Sequence, residues 1–333
     1  MPVLPLFDTP ADPDAWHRVT APGGYERWHF DAEDESRGVR VVAEFLEGVA
    51  FNTDYLHRYR RYLRRPTRVP PPQAREYPCV QFSVFESGRR LCAEAVHYHP
   101  DELTASDARP DVPIGANAFR VEHDGSLRVE VRQPRCSADL VFRPVFRHAP
   151  LERILVPGGG HGGEHYWVVA QPLCRVEGSV RVLPHGEGLR EIPFTGLGYH
   201  DHRFGTRPQG TSFVRRMWGR LLAEDRGIVF HVVTPASSDQ PDEVQFLEID
   251  AAGIRPLTVA AGNVDWSRRV RRGVLYPATV ALGEHLRLSN PRLLDFNPHH
   301  LRLEYDGEGE GAPRTAFCEV VHPPALARPR RSR

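Results

Sequence analysis

Thr195-Gly196-Leu197-Gly198-Tyr199-His200-Asp201-His202-Arg203-Phe204-Gly205 is the stretch on which the architecture turns. Two histidines, an aspartate and a tyrosine fall within four residues, where an ordinary strand carries β-branched side chains. Glycines at 196, 198 and 205 permit a bend or a close approach of neighbouring backbone. Read as extended chain, the run divides by the two-residue period of a strand. Tyr199 and Asp201 point to one face, His200 and His202 to the other. Three readings follow from the residues alone. The histidines form a metal pair, for which spacing places no third ligand; or the polar groups satisfy one another at a domain junction; or Tyr199 and Asp201 form an acid and its partner in an apolar cavity.

The same period runs outward along the chain. Val80–Phe85, Leu127–Val131, Leu140–Phe146, Tyr166–Val169, Val180–Val182, Ile228–Val233 and Leu301–Tyr305 all read as strands. Turn clusters such as His123-Asp124-Gly125-Ser126 and His185-Gly186-Glu187-Gly188 separate them. Strands at regular spacing, without intervening crossover helices, predict an all-β fold of antiparallel barrels.

One segment departs from it. Residues 53–65 place Leu56, Tyr59 and Leu63 at helical spacing and carry Arg58, Arg60, Arg61, Arg64 and Arg65. Asn52 or Thr53 is positioned to cap this helix and Pro66 to stop it. It reads either as a solvated surface helix or as a basic amphipathic lid touching an anionic membrane. Pro70-Pro71-Pro72 is a stiff connector, and the arginine-rich end, 328–333, reads as a disordered tail.

A chain of 333 residues suits two domains. At 40% hydrophobic and 26% charged residues it can bury real cores, and no stretch approaches the ~20 apolar residues of a membrane helix. Zero formal net charge argues against a general nucleic-acid binder. All 43 basic residues are arginine, which removes Schiff-base chemistry and a phosphate-loop lysine from consideration. Cys79, Cys92, Cys136, Cys174 and Cys318 are odd in number and widely spaced, as expected of unpaired thiols in a reducing compartment. Met1–Thr20 shows no basic-then-apolar leader, so the expected setting is cytoplasmic, with or without peripheral membrane contact.

Two strings mislead. Gly158-Gly159-Gly160-His161-Gly162-Gly163 spells a dinucleotide fingerprint, but a strand follows it where the fingerprint needs a helix. His161-Gly162-Gly163-Glu164-His165 matches an inverted zinc-protease string, but two central glycines at roughly 1 kcal/mol each argue against the helix it requires. A hairpin loop accounts for both.

Gly198-Tyr199-His200-Asp201-His202, followed by an aromatic and a glycine, resembles the hallmark of the hydroxyneurosporene synthase (carotenoid 1,2-hydratase) superfamily. Gly24-Tyr25-Glu26-Arg27-Trp28-His29-Phe30-Asp31-Ala32 is similar to that family's opening signature, Trp218-Gly219-Arg220 to the segment after the central motif, and Phe317–Val321 to its closing strand. The likeness runs in order along most of the chain. It departs at Arg27 and His29, which replace aromatics, and at Arg203, where asparagine is common. Those departures bear on the substrate more than on the fold.

The resemblance implies two tandem lipocalin-like (calycin) antiparallel barrels, expected over 1–185 and 186–325, with 326–333 as a basic tail. It also implies a site. The family's acyclic carotenoid hydratases depend on a His-x-Trp pair upstream of Tyr-x-Asp, which His165-Tyr166-Trp167 and Tyr199-His200-Asp201 match in order. Alternation puts each pair on one strand face, so all four residues can converge in one barrel. Asp201, kept protonated by apolar walls, would deliver a proton to an alkene. Trp167 and Tyr199 would stabilise the cation, worth up to ~2 kcal/mol when desolvated. His165 would orient water and take up its proton.

Glu26, Trp28, His200, His202 and Trp218 are expected in substrate-binding or supporting roles, with the two histidines bracing the barrel junction. This scheme needs no cofactor and no metal. It predicts a hydratase acting on an acyclic isoprenoid or carotenoid-like lipid, with peripheral membrane contact through 53–65 as a further expected partner and no nucleic acid. The superfamily also holds cyclases and pericyclases of natural-product pathways, and a non-catalytic lipid carrier is a third reading. A carrier, however, gains nothing from a buried acid.

Overall fold

A computed structural model describes residues 6–48, 52–156, 165–236, 241–259, 263–266, 270–271, 273–308 and 314–323. The glycine-rich run 158–163, the string through Glu164 and the tail 326–333 lie outside the described residues. Among those described the chain is almost wholly antiparallel β-structure. The first group of strands is β1 (Tyr25–Asp34), β2 (Val39–Glu47), β3 (Pro78–Glu86), β4 (Arg89–His97), β5 (Asp111–Ile114), β6 (Asn117–Val121), β7 (Leu127–Arg132), β8 (Cys136–Pro144), β9 (Leu151–Val156), β10 (His165–Val182) and β11 (Arg190–Gly205). They form one curled sheet in the order β4-β3-β2-β1-β11-β10-β8-β7-β6-β5, with β9 pairing on β10.

The second group is β12 (Phe213–Leu222), β13 (Gly227–Pro235), β14 (Glu243–Asp250), β15 (Gly253–Leu257), β16 (Asn263–Val264), β17 (Val270–Arg271), β18 (Val274–Leu275), β19 (Val280–Leu282), β20 (Leu286–Asn297), β21 (His300–Glu308) and β22 (Arg314–Val321). Their sheet runs β15-β14-β13-β12-β22-β21-β20-β19-β16, with β17 and β18 forming a separate ribbon. Among the described residues, two tandem lipocalin-like sheets therefore form the body of the structure. The expected division at 185/186 falls between β10 and β11, which are hydrogen-bonded neighbours; the chain changes sheets between β11 and β12.

Alternation explains why these sheets have two buried faces each. In β1, Trp28, Phe30 and Ala32 turn into the curl of the first sheet, packing with Phe45, Phe82, Phe119 and Phe142. Arg27, His29 and Asp31 turn the other way and are just as buried, because the second sheet covers them. A third cluster, including Met217, Phe230, Leu301 and Tyr305, fills the curl of the second sheet. The cysteines are all free and buried.

β1 and β11 pack closely because Gly196 allows it: a Cβ there would lie 1.9 Å from the Glu33 carbonyl oxygen. The helix α1 (Thr53–Arg64) is capped as expected by Asn52, whose Oδ1 accepts from the backbone N–H of Asp54 and Tyr55 at 3.0 Å. Its apolar face is shifted from the expected one. Tyr55, Leu56 and Tyr59 are buried against the protein, whereas Leu63 is 53% exposed. No helix of the described residues is long and apolar enough to cross a membrane.

Candidate active site

The outward face of the first sheet packs on the outward face of the second. From β1, β2, β10 and β11 come Arg27, His29, Asp31, Glu44, His165, Trp167, Tyr199, Asp201 and Arg203; opposite them stand Arg216, Trp218 and Arg220 of β12, His231 of β13, Arg302 of β21 and Glu319 of β22. The seam has an apolar half, where Trp167, Tyr199 and Trp218 join Leu155, Val169, Leu173, Val229, Leu247 and Ile249. Its other half is charged. Two openings reach its edges, a cleft of about 530 Å³ bounded in part by Ser83, His300 and Arg302 and one of about 620 Å³ bounded in part by Glu33, Leu197 and Arg220.

Asp201 sits at the boundary between the halves and is fully buried. A single oxygen, Oδ2, accepts from Trp167 Nε1 at 2.9 Å, from Tyr199 OH at 2.9 Å, and from Arg203 Nε at 3.0 Å and Nη2 at 2.5 Å. Oδ1 has no hydrogen-bond partner. Trp218 faces Tyr199 with ring centroids 5.1 Å apart, and the Arg203 guanidinium lies 4.9 Å over the Trp218 ring. Burial and then the Asp201 charge hold the Tyr199 phenol well above its ordinary range.

The charged half is a linked set of ion pairs. Arg27 pairs with Glu44 and, at 2.8 Å, with Glu319. Arg302 reaches Glu319 at 3.1 Å and Glu44 at 3.2 Å, and Arg220 closes on Asp31. Burial works to raise Glu319, but Arg27, His300 and His29 outweigh it and hold the carboxyl well below the usual range. Taking such charges out of water costs several kcal/mol each, which only good pairing recovers. One member has no such recovery. Against Arg27, Arg203, Arg216, Arg220 and Arg302 stand the carboxylates Asp31, Glu44, Asp201 and Glu319, and Arg216 Nε and Nη1 are buried without partners. Burial, followed by repulsion from Arg203 and Arg27, pushes Arg216 down to about 9. Neighbouring His231, edge-on to Trp167 at 4.3 Å, has both nitrogens unpartnered; burial and then Arg203, Arg216 and Arg27 drive it well below the imidazole range.

The structure thus brings Trp167, Tyr199 and Asp201 into mutual contact, and adds Trp218. His165 shares their face but is engaged elsewhere: Nδ1 lies 3.0 Å from Tyr25 OH and Nε2 2.8 Å from Ser212 Oγ. Burial, then Arg216 and Arg207, push its imidazole down to about 3. The set lies between the sheets, not inside a barrel as alternation alone suggested, because the second sheet covers this face.

Asp201 also lacks the uniform apolar walls expected of it, since Arg203 is its nearest ionic partner. Glu26, Trp28, His200 and His202 occupy the opposite face. His200 and His202 lie within the first sheet rather than at the junction: the His200 ring stacks on Phe30 at 3.9 Å and that of His202 on Trp28 at 4.5 Å. Sequence reasoning missed the ion-pair network. Its signal was present in Arg27, His29 and Arg203, the three departures from the family pattern, which all face the seam.

No family model matches the chain. A protein named hydroxyneurosporene dehydrogenase, from Chlorobaculum tepidum, is 30% identical over 312 residues, covering 86% of this chain and 78% of that one. An AttH-like protein of Nitrosomonas europaea, NE1406, superimposes with a TM-score of 0.65 at 14% identity, over 97% of this chain and 99% of its own. CghA does so with a TM-score of 0.64 at 11% identity, over 98% and 96%. The two solved structures speak to the fold alone.

Proposed function

The chain belongs to the hydroxyneurosporene synthase (carotenoid 1,2-hydratase), AttH-like superfamily, and from this membership we propose that it adds water to a C=C bond of an acyclic isoprenoid or carotenoid-like lipid. The observation that carries the reading is Asp201 Oδ1, a buried carboxyl oxygen without a partner beside Trp167, Tyr199 and Trp218. With a proton on Oδ1, Oδ2 still accepts all its present hydrogen bonds. That proton passes to one alkene carbon, leaving a tertiary carbocation. Trp167 and Tyr199 present π faces to the cation, at up to ~2 kcal/mol when desolvated. Water adds to the cation and its proton returns to Oδ1, so the acid is restored and atoms balance. Arg203 stabilises the carboxylate in the interval. His165, neutral and held by Tyr25 and Ser212, fixes the edge of the site. Contact with a membrane surface, if the substrate is collected there, falls to Leu63 and the arginines of α1, since Tyr55, Leu56 and Tyr59 are already covered.

A second reading, cyclisation of a hydrophobic natural product, is favoured by unpartnered Arg216 and His231, which suit an oxygenated or anionic group better than a hydrocarbon. Incubating the purified chain with acyclic carotenoids and other terminal isoprenoids separates the outcomes. Hydration adds the mass of one water, dehydrogenation removes two hydrogens, and cyclisation leaves the mass unchanged. Full turnover by Asp201→Asn on whichever substrate is converted would overturn the assignment of the acid.

A further inference from the structure

The face opposite Asp201 carries polar groups that the reaction does not use. Glu26 on β1 and Glu47 on β2 are directly paired in register, and both are fully buried. His202 reaches Glu26 from β11, with Nε2 3.1 Å from Oε1. His17, delivered by the chain that precedes β1, places Nδ1 3.5 Å from the same oxygen. The ligand-type atoms of His17, Glu26 and His202 all lie within 4.8 Å of one another. Both imidazoles thus converge on one carboxyl oxygen, while Glu26 Oε2 is buried without a hydrogen-bond partner. Among the described residues no arginine forms an ion pair with either glutamate.

We propose that His17, Glu26 and His202 bind a divalent transition-metal ion of the zinc class. Two imidazoles and a carboxylate are a zinc-type donor set, and bonds of 2.0–2.1 Å at tetrahedral angles set ligand atoms roughly 3.4 Å apart. The observed 3.1 and 3.5 Å bracket that value. The donors are also braced as metal ligands generally are. The His17 ring stacks on Phe204 at 3.8 Å and the His202 ring on Trp28 at 4.5 Å, while the His17 backbone N–H donates to Glu26 Oε1 at 2.7 Å. Other ligand-type groups are already satisfied. In His29–Glu44–Glu319 the carboxylates pair with Arg27 and Arg302, and in Cys92–Glu94–Cys136 Glu94 accepts the Arg135 backbone N–H and the Cys136 thiol.

A cation here is closed off from solvent, so its role is structural. It ties the segment before β1 to β1 and β11, and it holds β11 one residue from Asp201. No spacing rule reveals it, because His17 and His202 come from opposite ends of the first sheet's sequence.

The test uses the full chain, without an affinity tag that binds metal. Elemental analysis of wild-type protein is expected to find about one equivalent of bound metal. After chelator treatment, Zn²⁺ should rebind and raise the melting temperature, and Co²⁺ should give visible absorption. His17→Ala and Glu26→Gln should each lose the metal. Should Glu26→Gln fail to fold, His17→Ala and the wild-type titration decide. A stripped wild-type chain that takes up neither Zn²⁺ nor Co²⁺ overturns the site, as does metal retained equally by both variants. Metal content is read without substrate, so failure of the hydration assay leaves this result intact.

Discussion

The Arg203 guanidinium meets Asp201 through Nε at 3.0 Å and Nη2 at 2.5 Å on Oδ2, while Oδ1 of the same carboxyl keeps no partner. One oxygen is fixed and the other is left for chemistry. Three further side chains report on this arrangement: Trp167 and Tyr199 as donors to Oδ2, and Trp218 beneath the guanidinium.

Replacing Asp201 by Asn is expected to abolish turnover and also to destabilise the fold by about 1–3 kcal/mol, because Arg203 exchanges its nearest carboxyl for a neutral amide and keeps only Glu319, 4.0 Å away. The double variant Asp201→Asn/Arg203→Leu should regain most of that stability without regaining activity. Urea unfolding of both single variants and the double variant, with product analysis on each, separates the two effects.

Tyr199→Phe removes one of the donors to Oδ2 and keeps the ring against Trp218. Its expected effect is a fall in kcat of about tenfold, the worth of ~1.4 kcal/mol in the transition state, with KM little changed. An unaltered kcat would show that the hydroxyl does not position the acid.

Arg216 is a buried cation without a carboxylate, so Arg216→Met should stabilise the ligand-free protein by about 1–4 kcal/mol. The same substitution should weaken binding of any substrate with an acidic or carbonyl oxygen and leave a pure hydrocarbon unaffected. Thermal melts and substrate KM values measure both.

Acid sensitivity follows from His165 and His231. Their folded-state values are depressed, to about 3 for His165 and well below the ordinary range for His231. Below pH ~6.5 the unfolded chain binds protons at both positions while the folded chain does not, down to about pH 3 at His165, so stability falls as pH drops. Each histidine contributes up to ~1.4 kcal/mol per pH unit. Urea midpoints at pH 7 and pH 5 should differ by less in His231→Phe than in wild type; an unchanged difference would remove His231 from the account.

Much of the fold was legible because period-two alternation is a local property. The expected runs at 80–85, 127–131, 166–169, 228–233 and 301–305 fall within β3, β7, β10, β13 and β21. The Asn52 cap and Pro66 stop framed α1 for the same reason. Leu140–Phe146 overran, since β8 ends at Pro144, which has no N–H for the ladder. The division at 185/186 misplaced β11, because a strand's sheet depends on which strands it pairs with, and nothing in residues 190–205 names β1.

The site divides along the same line. Sequence by itself determined that Tyr199 and Asp201 share one face of a strand, and His165 and Trp167 one face of another, because side-chain direction follows from backbone geometry within a few residues. Only the tertiary structure decided what covers those faces. It set Arg203 and Trp218 against Asp201 and Tyr199, engaged His165 with Tyr25 and Ser212, and gathered Arg27, Glu44, Arg302 and Glu319 into one buried network. It also turned His200 and His202 toward the interior of the first sheet. Burial and pairing are set by residues distant in the chain, and alternation carries no information about which of its two faces meets a second sheet.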